Sequence, residues 1–155
     1  MKGHDKVIET LNSLLADELT AINQYMVHAE MCETWGSERL GKAVQERAFT
    51  ELRHAEKLIA RILFLEGRPI VSVLRPMHIG ADVEAQLKND WQAERDAITA
   101  YNEGIRLAAE LKDHGTKELL DSILMDEEGH IDWIEAQLDQ IAQMGIQLYL
   151  SQQVD

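Results

Sequence analysis

The chain has 155 residues, 45% apolar and 28% charged, the balance of one soluble globular domain with enough apolar mass for a core. No apolar run approaches the roughly 20 residues of a membrane helix, and the N-terminus enters helical periodicity without a basic-then-apolar leader, so residues 1–155 are expected to form a single cytoplasmic domain. The formal charge of −13 argues against nucleic acid, which calls for clustered Lys and Arg, and makes cations the natural partners. The single cysteine, Cys32, excludes an internal disulfide and reads as a small, partly buried core residue.

In chain order, apolar residues recur at three-to-four spacing from Val7 through Leu11, Leu14, Ile22 and Tyr25, which predicts a first helix. Gly36 and Ser37 end it, and Ser37 is the expected N-cap of a second helix that carries Val44, Ala48, Leu52, Ala55, Ile59, Ile62 and Leu65. The only two prolines, Pro69 and Pro76, fall between Gly67 and Gly80, so residues 67–82 form one long loop. Helical periodicity resumes from Val83 to Leu111 and from Lys117 to Met144, around a turn at Asp113-His114-Gly115. Gly145 stops the fourth helix and leaves a short fifth segment, IQLYLSQQ. With no strand-like alternation, the fold class is all-α: a four-helix bundle with a short fifth C-terminal helix. The long loop can span about 50 Å when extended. It is expected to cross the length of the bundle and make the second and third helices parallel.

Three residues occur twice at one offset. Glu18, Glu51 and His54 return as Glu94, Glu127 and His130, and 94 − 18, 127 − 51 and 130 − 54 all equal 76. Of the six histidines, only His54 and His130 follow a glutamate by three positions. In an antiparallel hairpin, residues equidistant from the turn lie level. The midpoint of Glu18 and Glu51 is 34.5 and that of Glu94 and Glu127 is 110.5, each close to its turn. Each pair therefore sits ~25 Å from the turn, near the middle of its helices.

All four glutamates fall on the apolar stripe of their helices: Glu18 among Leu14, Leu15 and Ile22, Glu94 among Trp91, Ile98 and Tyr101. Four core carboxylates without counter-ions would cost many kcal/mol, so protons or cations must neutralise them, and two divalent ions balance four negative charges. The i, i+3 spacing lets Glu51 with His54, and Glu127 with His130, chelate from one helix face. Oxygen and imidazole donors suit iron or manganese, with iron the first choice, whereas structural zinc usually recruits thiolates. Glu51 and Glu127 are expected to bridge two ions, Glu18 with His54 and Glu94 with His130 to complete one ion each, and open positions to remain for dioxygen or peroxide. His4, His28, His78 and His114 lack this context and read as surface or capping residues; Met26, Met31, Met125 and Met144 read as core filler.

With those residues in view, the chain resembles bacterioferritin from end to end: in MKGHDKVIETLN, in ELTAINQY around Glu18, in ERAFTELRHAEKLIARILFLEG around Glu51 and His54, and in DEEGHIDWIEAQLDQI around Glu127 and His130. The resemblance implies a ferritin-like subunit with two iron ions, assembled as a hollow shell of twenty-four copies that oxidises ferrous iron and stores the ferric mineral. It further implies that Tyr25 supports the site from behind the ligands, that Trp133 sits close to it, and that a small ferredoxin serves as reductant. The chain departs from the family at Leu52, where haem-binding members carry the ligating methionine, so haem is not expected from this chain alone and a haem-binding sister subunit is the expected partner. Glu46 and Thr50 stand where several members have His and Asp, a departure that puts a separate inner-surface iron site in doubt. The competing functions are a diiron peroxide-scavenging oxidase without storage, and an apo helical-bundle scaffold.

Overall fold

The computed structural model describes residues 1–155 as five helices and no strand: α1 Asp5–Thr34, α2 Glu38–Phe64, α3 Val83–Glu110, α4 His114–Met144 and α5 Ile146–Ser151. Three of the long helices begin on a side chain that accepts one of the otherwise unpaired first-turn N–H groups: His4 from Lys6, Asp82 from Ala85 and Asp113 from Thr116. Ser37 occupies the N-cap position of α2, but its hydroxyl makes no capping bond. The Asp113 cap also starts α4 three residues earlier than the periodicity implied, so the turn after α3 is only Leu111–Asp113. No helix is long and apolar enough to cross a membrane.

Hydrogen bonds along the 65–82 segment establish the topology. Gly3 N–H donates to the Leu65 carbonyl, which places the end of α2 beside the start of α1. The loop then climbs α1 in register: Asn12 holds the backbone of Arg68 and Ile70, Thr20 accepts from Arg75 N–H, Gln24 from His78 N–H, and His28 Nε2 from Gly80 N–H. Asn12 to His28 is about 24 Å of helix. The loop thus delivers α3 to the opposite end of the bundle, where Cys32 donates to Gln86 and His28 meets Asp90. α3 therefore runs antiparallel to α1 and parallel to α2.

The core is split. One apolar cluster gathers Leu11, Leu14, Leu15, Leu58, Ile62 and Leu120; the other gathers Ala29, Cys32, Leu40, Val44, Leu87 and Ile134. Between them, at mid-height, lies a layer of buried polar side chains. Gly145, at φ 84°, allows the sharp break into α5, whose buried Tyr149 donates to Gln137 on α4. Three sequence expectations need correction. His28 is not a surface or capping residue but is completely buried, and Met26, Met125 and Met144 are not core filler: they are 51%, 70% and 36% exposed. Cys32 is fully rather than partly buried.

Candidate metal centre

Each long helix contributes to the mid-height layer: α1 Glu18, α2 Glu51 and His54, α3 Glu94, α4 Glu127 and His130, none more than 3% exposed. The structure brings all six together. Their donor atoms form two overlapping groups, Glu18–Glu51–His54–Glu127 and Glu51–Glu94–Glu127–His130, within each of which all lie within 4.8 Å of one another. Glu51 and Glu127 belong to both. The halves match as a two-fold axis would require. His54 Nδ1 is 3.0 Å from Glu127 and 3.6 Å from Glu18; His130 Nδ1 is 3.1 Å from Glu51 and 3.4 Å from Glu94. The two imidazoles stack at 6.3 Å between centroids.

Seven buried side-chain atoms have no hydrogen-bond partner: Glu18 Oε2, Glu51 Oε1, His54 Nδ1, Glu94 Oε2, both Glu127 oxygens and His130 Nδ1. Every one belongs to these six residues. Unpaired buried polar atoms are rare because each forfeits its hydration, and seven converging on one layer form a cluster able to hold cations. Carboxylate oxygens and imidazole nitrogens are the donor types that suit iron.

Two tyrosines lie behind the carboxylates. Tyr25 donates to Glu94 Oε1, and Tyr101 donates to Glu18 Oε1 at 2.5 Å, so in each glutamate one oxygen is tethered and Oε2 is left facing the centre. Tyr101 was not singled out in the sequence, yet 101 − 25 is again 76. On the outer side of His54, Asp126 Oδ2 lies 2.8 Å from Nε2; it too escaped sequence reasoning, because the repeat offers Thr50 and not a second aspartate as its counterpart. Trp133 sits on the rim of the second apolar cluster beneath the Arg47 guanidinium, 5.6 Å from the ring centroid.

Electrostatics follow from burial and crowding. Burial, then the charge of Glu51, pushes the Glu18 carboxyl well above the usual range, and burial with the neighbouring Glu127 does the same to Glu94. Burial and Glu51 push Glu127 up to about 8. Burial disfavours a charged His54, but contacts with Glu127, Glu18 and Glu51 outweigh it and raise the imidazole. Burial and the adjacent carboxylates raise Tyr25 and Tyr101, which keeps both hydroxyls neutral donors. A cavity of about 540 Å³ between α1, α3 and the crossing loop reaches this layer, with Asp17, Arg75 and His78 at its solvent side and Glu18, Glu94 and Glu127 at depth.

Comparison with known proteins agrees with the geometry. The family profile described as the Ferritin-like domain matches residues 8–144. The chain is 44% identical over 149 residues to the bacterioferritin of Brucella melitensis biotype 1, covering 96% of this chain and 92% of that one. It is 44% identical over 147 residues to the bacterioferritin of Rhodobacter capsulatus (95% and 91%), and 38% identical over 152 residues to that of Mycobacterium leprae (98% and 96%).

Proposed function

Since the chain belongs to the bacterioferritin family of ferritin-like proteins, we propose that it stores iron and is a ferroxidase, oxidising Fe(II) to Fe(III) at a pair of sites inside one subunit. The observation that carries this reading is the set of seven unpaired, buried donor atoms, all on Glu18, Glu51, His54, Glu94, Glu127 and His130.

Two ferrous ions are the substrate. Glu51 and Glu127 hold both, Glu18 and His54 complete one site, and Glu94 and His130 complete the other. Tyr101 and Tyr25 fix the terminal carboxylates through Oε1 and so present Oε2. The raised carboxyls of Glu18, Glu94 and Glu127 carry protons in the ion-free site and release them as the ions arrive, so that uptake of two divalent cations leaves the layer nearly neutral. With dioxygen as oxidant, two ferrous ions each give one electron and, with two protons, yield two ferric ions and hydrogen peroxide; with peroxide as oxidant the same two electrons and two protons yield water. The apolar clusters close the layer off on either side, leaving the cavity between α1, α3 and the crossing loop as its opening to solvent.

Storage implies that the subunit assembles into a closed shell of twenty-four copies, with a small ferredoxin as reductant for release. Leu52, next to Glu51 and 44% exposed, has no lone pair to ligate haem, so a shell that binds haem would take its ligand from a sister subunit that carries a methionine at this position. The test is ferrous salt added under air to the purified protein, read by stopped-flow absorbance, by bound iron per subunit and by particle size. Rapid oxidation with hundreds of ferric ions retained per large particle supports the proposal. Failure to bind iron refutes both activities, and oxidation by a small dimer without retention refutes storage. An absorbance scan of the same particle should show no stoichiometric low-spin haem.

A further inference from the structure

The two halves of the candidate metal layer match in their ligands and in the tyrosines that tether them, but not in the groups beside their two histidines. The 76-residue offset relates each ligand to its mate, and the corresponding imidazole–carboxylate distances agree within 0.2 Å: 3.0 and 3.1 Å, 3.6 and 3.4 Å, 3.7 and 3.9 Å. The tyrosines obey the same relation. The groups behind the histidines do not. His54 Nε2 is held by Asp126 at 2.8 Å, whereas His130 has carboxylates within 4.0 Å of Nδ1 only and none at Nε2. Subtracting 76 from Asp126 gives Thr50, whose hydroxyl donates to the Glu46 carbonyl and accepts from the Arg53 guanidinium at 3.1 Å. Subtracting 76 from Gly129 gives Arg53 itself. One half therefore sets a carboxylate behind its histidine with a glycine beside it; the other sets a neutral hydroxyl bonded to a cation.

A carboxylate on the outer nitrogen of a metal-binding imidazole fixes the tautomer, aims the inner nitrogen and makes it a stronger donor; losing one typically costs 10–100-fold in metal affinity. Resting on the two-ion reading above, we propose that Asp126 is a positioning residue that makes the Glu18–His54 site the tighter of the two, so that divalent ions load in a fixed order, first there and then at Glu94–His130. Thr50 is the residue that withholds the same support from the second site.

The probe is Co(II), which binds such donor sets without being oxidised under air, titrated into the intact metal-free protein and followed by calorimetry and by its visible ligand-field bands. The wild type is expected to bind two ions per subunit in two steps at least about 10-fold apart. D126N should weaken the first step by about 10- to 100-fold and merge the two, with the second unchanged. T50D, at the partly exposed position that the 76-residue relation pairs with Asp126, should tighten the second step and draw the two together from the other side. A purely structural role for Asp126 would weaken both steps equally or lower the melting temperature of the metal-free protein instead. Two identical steps in the wild type, or equal weakening of both in D126N, would overturn the proposed order while leaving the two-ion site intact; no Co(II) bound to any variant would overturn the site itself.

Discussion

The same two-fold relation reaches different outcomes at mid-height and at one end of the bundle. At mid-height it is kept, from the six candidate ligands out to the hydroxyls of Tyr25 and Tyr101. Toward the end where the crossing loop arrives, α1 presents His28 and α3 presents Asp90, 2.9 Å apart and both buried; of their mates toward the other end, Leu14 lies in an apolar cluster and Gly104 is a buried glycine without a polar side chain. The difference lies in what each place must satisfy. Two like ions between two hairpins favour matched donors, but only one end of the bundle receives the loop, and its incoming backbone N–H groups need acceptors. His28 Nε2 takes Gly80 N–H and Gln24 takes His78 N–H, while Asp90 Oδ1 accepts from Gln24 and pairs with His28 Nδ1. Ligand chemistry keeps the halves alike, and chain connectivity makes them differ.

Breaking the symmetric layer should have the largest effect. Replacing Glu51 or Glu127 by alanine removes a carboxylate shared by both donor groups and is expected to slow ferrous oxidation by about 100-fold or more, with Glu18→Ala and Glu94→Ala milder because each touches one ion. Stopped-flow absorbance after anaerobic iron addition and exposure to air decides it, and wild-type rates in either shared-glutamate variant would remove the bridging assignment.

The asymmetric end tests stability instead of rate. Asp90→Leu leaves His28 Nδ1 and the Gln24 amide without their acceptor and is expected to cost about 3 kcal/mol in denaturant unfolding, with iron binding per subunit preserved. If the variant were as stable as the wild type, the network would not be what secures the loop.

Acidity separates the two regions further. The folded-state carboxyls of Glu18, Glu94 and Glu127 are raised, so their contribution to stability is whole below their ordinary value of 4.5 and is lost as pH rises through the folded value, about 8 for Glu127. The raised His54 acts in the same direction. The melting temperature of the metal-free protein should therefore fall between about pH 5 and pH 8, while the gain on saturating with ferrous iron without oxygen grows over that window, because binding displaces those protons. Scanning calorimetry at several pH values checks the sign, and a metal-free protein that gains stability with pH would contradict the raised carboxyls.

The smallest effects belong to the hydroxyls. Tyr25→Phe and Tyr101→Phe each remove one hydrogen bond to a terminal glutamate and should slow oxidation by a few-fold, about 1 kcal/mol. A much larger loss from one than from the other would show that the symmetry of the layer is geometric but not functional.

Much of this was legible in the residues alone. Helical periodicity, with Gly36 and Gly145 as breaks and the two prolines confined to one loop, determined four long helices, a crossing and a short fifth helix; the 76-residue offset picked out the six side chains that the fold brings together. These signals are local or repeated, so they survive reading one chain in order. Tertiary structure alone decided which side chains meet across helices: Tyr101 with Glu18, 83 residues apart, Asp126 with His54, 72 apart, and His28 with Asp90, 62 apart. It also turned Met26 and Met125 outward and took His28 inward. A buried aspartate beside a histidine carries no periodic signature, and whether a helical methionine faces core or solvent depends on where neighbouring helices pack, which is fixed only when the two hairpins and the crossing loop come together.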